Sequence, residues 1–267
     1  MLSEAIRPGN HKSEDDHRRD ICTAGRWLHC RQFVPATDGN LSVRLDDFRI
    51  LTSPTGISKG LMTPDDLVTT DMNGQRLSGT RQPSSEIAMH LLIYRQRPDI
   101  CGICHAHPPI ATGFAAAHLP LNKALISEVV VCLGSIPVAP YATPGTPELS
   151  KTLEPLVQSH DAILLANHGV VTYGPDLLTA FFRMETVEHF AKVSLVTELL
   201  GKQSLLSGRE VEKLMAARSR YGITTTARFD SDLAVDSESR SQLSGSFSRE
   251  ELKSIIEEVL REAHLRD

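Results

Sequence analysis

"CGICHAHPP", residues 101–109, holds three competing signatures. Cys101-x-x-Cys104-His105 fits covalent haem attachment, the same cysteines form a redox-type CxxC, and His105-x-His107 has a spacing that suits a metal. The flanking sequence separates them. Upstream, "QPSSEIAMHLLIYRQRP" opens with Pro83 and two serines and sets Ile87, Leu91 and Tyr94 on one face of a helix that must stop near Pro98. Downstream, Pro108 and Pro109 end the apolar run, and residues 109–118 read as helix again. The stretch between is a short apolar strand. Strand side chains alternate between faces, so His105 and His107 point together, roughly 6.5–7 Å apart at Cα. Imidazoles converging from there reach one metal at about 2.0–2.1 Å each. Cys101 and Cys104 face opposite sides, whereas a redox pair wants the start of a helix. Haem attachment normally occurs outside the cytoplasm, and the polar, charged start MLSEAIRPGNHKSEDDHRRD does not read as a secretory signal.

Working outward, residues 1–13 read as a loose leader and 14–34 as a helix with Ile21, Ala24, Leu28 and Phe33 among its apolar positions. "PATDGNLSVRL" turns at Gly39-Asn40 into a strand, "FRILTSPTGISKG" is a second strand ending in a glycine loop, and "LVTTDMNGQRL" is a hairpin around Asn73-Gly74. "SEVVVCLGSIPVAPY" is expected to be strand-rich, "PELSKTLEPLVQSH" a helix, and "AILLANHGVVTYG" two strands around a tight turn. A long helix starting at "DLLTAFF" and a further helix in "SGREVEKLMAARSRYG" follow. Residues 224–247 are polar and Ser/Asp-rich, so they read as a linker. Residues 248–267 open with a capping box, Ser248 with Glu251, and carry an amphipathic stripe of Leu252, Ile255, Ile256 and Val259. The sum is an α/β fold, with a mostly antiparallel sheet between helical layers.

Composition narrows the function. Of 267 residues, 40% are hydrophobic and 23% charged, the balance of a globular chain able to bury a core. A net charge of −5 gives no reason to expect nucleic acid or an anionic membrane as partner. No uncharged apolar stretch approaches the roughly 20 residues that span a bilayer. Five scattered cysteines argue against a disulfide scaffold. A cytoplasmic enzyme is the expectation.

His168, in "LLANHGVV", follows an apolar strand and precedes a glycine, so it stands at a strand end, where an HxH elsewhere would find its third ligand. His90 lies inside a helix as a packing residue, while His11, His17 and His264 fall in charged segments and are expected to be solvated. "PSSE" offers a different chemistry. Ser84 and Ser85 stand at a helix N-terminus, where N–H groups and dipole favour an anion, or where the serines simply cap. Glu86 falls in the first turn. The loops at 38–40 and 53–56 can offer N–H groups to the same anion.

Taken in order, "TDGNLSVR", "LTSPTG", "PSSEIAMH", "HAHPP", "SIPVAPYATPGT" and "LANHGVV" resemble the class II aldolase/adducin family, and most closely its fuculose-1-phosphate aldolase branch, over residues 15–222. The resemblance implies zinc ligated by His105, His107 and His168, and a catalytic Glu86 that also coordinates the metal before substrate arrives. It implies phosphate binding at Gly39, Asn40, Thr55, Gly56, Ser84 and Ser85, and a second catalytic residue, Tyr221, on a mobile C-terminal segment. It also implies a homotetramer with sites at subunit interfaces, acting on a sugar phosphate. The activity implied is reversible cleavage of a ketose 1-phosphate (fuculose, 5-deoxyribulose or ribulose type) to dihydroxyacetone phosphate and an aldehyde. Epimerase, dehydratase and decarboxylase chemistry on the same scaffold, and a non-enzymatic adducin-like binding role, are the alternatives. Glu rather than Asp at position 86 speaks against the epimerases. One departure stands out: a tyrosine of the aldolases falls at Ile126, which cannot transfer a proton.

Overall fold

The 101–109 stretch supplies a central strand. The computed structural model describes residues 12–223, 225 and 227–229. Its strands are β1 (Asn40–Arg44), β2 (Arg49–Thr52), β3 (Val68–Asp71), β4 (Arg76–Ser78), β5 (Gly102–Ala106), β6 (Val138–Ala139), β7 (Ala162–Leu165) and β8 (Gly169–Gly174). They form one sheet in the order β4-β3-β2-β1-β5-β8-β7-β6. Every pairing is antiparallel except β6 with β7. The helices are α1 (Glu14–Cys30), α2 (Ile87–Gln96), α3 (Pro109–Ala116), α4 (Ser127–Cys132), α5 (Pro147–Val157), α6 (Leu177–Leu199) and α7 (Gly208–Ala217).

Strand alternation sorts the sheet's side chains into two cores, which makes the fold a three-layer α/β/α sandwich. Leu41, Val43, Cys104, Ala106 and Val170 pack with Ile21 and Leu28 of α1, Ala111 of α3, and Phe181, Met184 and Phe190 of α6. Ile103, Ile163, Val171 and Tyr173 take the other face, against Met89, Leu92 and Ile93 of α2 and Leu149 and Leu153 of α5. Each fully buried Val, Leu, Ile, Phe or Met among them contributes about 1.5–3 kcal/mol. Both faces of β1, β5 and β8 are covered, so their residues are buried throughout. Cys104 therefore belongs to the α1/α6 core, and His105 faces the α2 layer. All five cysteines are free.

Two elements depart from the sequence expectation. Residues 127–132 form helix α4, not a strand, despite three consecutive valines. Val129, Val130 and Val131 are all buried there, so tertiary packing overrides β-branched propensity. Gly134, at φ 69°, ends the helix and donates to the Val129 carbonyl at 3.0 Å. Helix α1 stops at Cys30 rather than 34, because Gln32 turns into the left-handed region at φ 61°, yet Phe33 is buried as anticipated. His17, expected to be solvated, is half-buried.

The described residues lie in one compact unit. Ser13, at the end of the expected leader, caps α1 with a capping box to Asp16. Within the expected linker, Thr225 bonds the buried Asp161, and Arg228 bonds Ser159 and Ser135 through its backbone. The C-terminal helix proposed for 248–267 lies outside the described residues. Among the described residues, no helix is long and apolar enough to cross a membrane.

Candidate metal centre

The histidines converge because three neighbouring pieces of sheet present them to one side. His105 sits in β5, paired with Asn40 of β1 and Val171 of β8. His107 lies just past the strand, its backbone N–H donating to Phe33 O at 2.8 Å. His168 occupies the β7–β8 turn, where Asn167 takes φ 54° and the His168 N–H donates to Leu165 O at 3.0 Å. Asparagine tolerates this left-handed conformation better than most residues do. The ligand atoms of the three rings lie within 4.8 Å of one another, with His105 Nε2 and His107 Nε2 3.2 Å apart.

The outer nitrogens fix which atoms face inward. His105 Nδ1 donates to the Val170 carbonyl at 2.9 Å, and His107 Nδ1 lies 3.2 Å from an Asp38 carboxylate oxygen. A carbonyl or carboxylate only accepts, so each Nδ1 carries a proton, and each ring, when neutral, turns its Nε2 lone pair to the centre. Two lone pairs at that separation repel unless a cation or proton lies between them. The donor set fits a metal.

Glu86 closes the group. Its Oε2 is 3.2 Å from His105 Nε2 and accepts from Asn40 Nδ2 at 2.8 Å, and its Oε1 is 3.4 Å from His168 Nε2. That Oε1 is buried without a hydrogen-bond partner. Glu86 is not in the first turn of α2, as the sequence suggested, but at its N-cap, and its side chain does not cap. The carboxylate is thereby left free to turn toward the histidines. Burial alone would raise its pKa, but the charge and hydrogen bond of His105, with His168 and Asn40, hold it well below the usual carboxylate range. Burial would lower His105, and Glu86 overrides it to raise the ring above its usual value. Burial, then the charge of His105, brings His107 and His168 down to about 4. His90, one turn along α2, is fully buried and bonds Ser42 Oγ at 2.6 Å, consistent with packing.

Three further segments meet beside this group. Ser53 N–H donates to Leu41 O at 2.9 Å, Thr55 N–H donates to Gln82 O at 3.2 Å, and Pro54 forms a bridge with Pro83. The 38–40 loop, the 53–56 loop and the Ser84–Ser85 approach to α2 are thus neighbours. Gly39 and Gly56 take φ 70° and 71°, conformations that glycine adopts without strain. Ser84 Oγ accepts from the Glu86 N–H at 3.2 Å, while Ser85 is exposed. The Asn40 side chain donates to the Glu86 carboxylate, which ties the 38–40 loop to the start of α2.

A sequence model of the Class II Aldolase and Adducin N-terminal domain matches residues 19–195. The chain belongs to the class II aldolase/adducin family. It is a metal-dependent lyase of that family. A 3-oxo-tetronate 4-phosphate decarboxylase of Haemophilus influenzae is 38% identical, over 63% of this chain and 82% of that protein. A 5-deoxy-D-ribulose 1-phosphate aldolase of Bacillus thuringiensis is 31% identical, over 77% of this chain and 96% of its own length. Among solved structures, an L-fuculose 1-phosphate aldolase superposes with TM-score 0.72 at 34% identity, covering 79% of this chain and all (100%) of that one.

In this member of the family the structure brings His105, His107, His168 and Glu86 together but leaves Tyr221 apart, 65% exposed on the turn after α7. Ile126, where the resemblance set a tyrosine of the aldolases, stands at the N-cap of α4 and packs against the core. Three positions escaped sequence reading: Asp38 behind His107, Asn40 as the hold on Glu86, and Gly169. A Cβ at Gly169 would sit 2.5 Å from His107 Cδ2 and 2.7 Å from Ala106 O. Gly169→Ala is expected to displace His107 and weaken metal affinity by about tenfold, within the range of losses at groups that orient ligands. A chelator-competition titration checks this, and unchanged affinity would show that His107 has room to spare.

Proposed function

We propose that this protein is a zinc-dependent aldolase that reversibly cleaves a ketose 1-phosphate to dihydroxyacetone phosphate and an aldehyde. The observation that carries the reading is Glu86, an uncapped carboxylate held among three histidines beside a set of glycine-containing loops. Three imidazoles with a further position open suit catalytic zinc. Bound by His105, His107 and His168, the metal supplies Lewis acidity toward the substrate's ketone. The phosphate is held by Gly39 and Asn40, Thr55 and Gly56, and Ser84 and Ser85 ahead of α2. That anchorage brings the carbon beside the ketone to Glu86. In the synthetic direction the Glu86 carboxylate removes the proton from that carbon; in cleavage, once it has taken up a proton from solvent, it returns it to the electron pair left there.

Ile126 favours a second reading. Aldol cleavage must also take a proton from the hydroxyl that becomes the aldehyde, and Ile126 offers no group for it. Decarboxylation of a 3-oxo acid phosphate needs no such group, because carbon dioxide leaves instead. It generates the same electron pair beside a ketone and the same demand on Glu86. The decarboxylase relative at 38% identity agrees with this chemistry. Both reactions yield dihydroxyacetone phosphate when the acid is 3-oxo-tetronate 4-phosphate, so the co-product discriminates. Incubation with fuculose, ribulose and 5-deoxyribulose 1-phosphates is expected to release aldehyde in step with dihydroxyacetone phosphate. Carbon dioxide from the oxo acid, with no aldehyde from any ketose phosphate, would replace the aldolase reading by the decarboxylase one.

The assembly that fits these features is a cytoplasmic homotetramer. Phe182, Val196 and Leu199 of α6 are 53%, 46% and 45% exposed, apolar surface that a neighbouring subunit would cover. Light scattering that gives a monomer would remove the tetramer assignment.

A further inference from the structure

Lys59 is 1% exposed, and its ammonium donates to two backbone carbonyls, Ile57 O at 2.8 Å and Thr37 O at 2.9 Å. Thr37 borders the loop Asp38-Gly39-Asn40, and Ile57 borders Thr55-Gly56. The lysine therefore bridges two loops distant in sequence. Its own segment is seated from behind. Gly25 of α1 lets Lys59 O approach so closely that a Cβ would stand 2.6 Å from it, and Gly60 packs in the same way on the His29 ring. Glycine inside a helix is unfavourable, so this close approach is held against a local cost. Ala36, at φ 47°, is another strained residue of the same loop.

A neutral donor would also pair both carbonyls, through weaker hydrogen bonds but with no charge to bury. Burying the charge without a hydrogen-bonded carboxylate is unfavourable. Burial pulls Lys59 down to about 8, against the pull of Asp38. The stapling of two loops does not explain a charge; an anion between those loops does. We propose that Lys59 is a positioning residue for the phosphate end of the substrate, its buried ammonium holding the 38–40 and 55–56 loops together as one anion cradle. This rests on the sugar-phosphate reading above.

The test uses the metal-loaded full chain and inorganic phosphate as the probe, followed by thermal shift and calorimetric titration, with steady-state kinetics on the turned-over sugar phosphate. Lys59→Gln keeps donors for both carbonyls and removes the charge. Phosphate Kd and substrate KM are expected to rise at least about tenfold with kcat within about twofold, and Lys59→Arg is expected to recover part of the loss. Lys59→Met, also neutral, gives the same comparison where Lys59→Gln is too unstable to assay. Phosphate binding by wild type and both neutral variants alike would overturn the role of Lys59 and leave the sugar-phosphate reading standing. Absence of phosphate binding in wild type would overturn the sugar-phosphate reading and this inference with it.

Discussion

His105→Ala/His107→Ala is expected to leave a folded protein with less than about a tenth of the wild-type metal content and turnover reduced by at least about 1,000-fold. The two rings supply two of three neutral donors, and His168 alone cannot hold a divalent ion against solvent. The fold should survive because the strand is specified elsewhere. Cys104 and Ala106 keep their places in the α1/α6 core, and the register of β5 with β1 and β8 is carried by backbone. The loss falls on Glu86. Without His105 its buried carboxylate keeps the Asn40 hydrogen bond but loses its strongest stabilising charge, so its pKa must rise. Elemental analysis alongside circular dichroism separates metal loss from unfolding. Stoichiometric metal in a folded double variant would end the ligand assignment.

The parts of this site that sequence revealed were those encoded by local period. HxH in a strand puts two rings on one face whatever the fold, and "LLANHG" places His168 at a strand end. The same alternation that removed the cysteine pair from consideration sends Cys104 into one core and His105 toward the other helical layer. The reading of Ser127–Cys132 failed because three valines carry strand propensity, and only the packed molecule shows that all three are buried on a short helix ended by Gly134. Glu86 was found by its company but misplaced by a residue, since helix boundaries are soft and an N-cap is defined by backbone angles. Asp38, Gly169 and Lys59 were illegible for a different reason. Each matters through a group far off in the chain: His107 for the first two, and the carbonyls of Thr37 and Ile57 for the third. Nothing in a one-dimensional window marks such a contact.

Glu86→Gln isolates proton transfer from everything else the site does. The substitution is nearly isosteric, and the new amide oxygen can still accept from Asn40 Nδ2, so the side chain should keep its place at the start of α2. The phosphate loops are untouched. Without the carboxylate, His105 loses the interaction that raises it and settles as a neutral ring, the form a metal requires. Metal content is therefore expected to stay near wild type and KM to change by no more than about threefold. Turnover should fall by about 1,000-fold, inside the usual range for removing a general acid–base. Equal losses in kcat and kcat/KM would mark an interaction made only in the transition state. Glu86→Asp tests reach: it keeps the charge but draws the carboxylate back by one methylene, and it should recover only part of the rate. Undiminished turnover in metal-replete Glu86→Gln would mean that the proton comes from another group. The orphaned Oε1 beside His168 would then belong to metal binding alone.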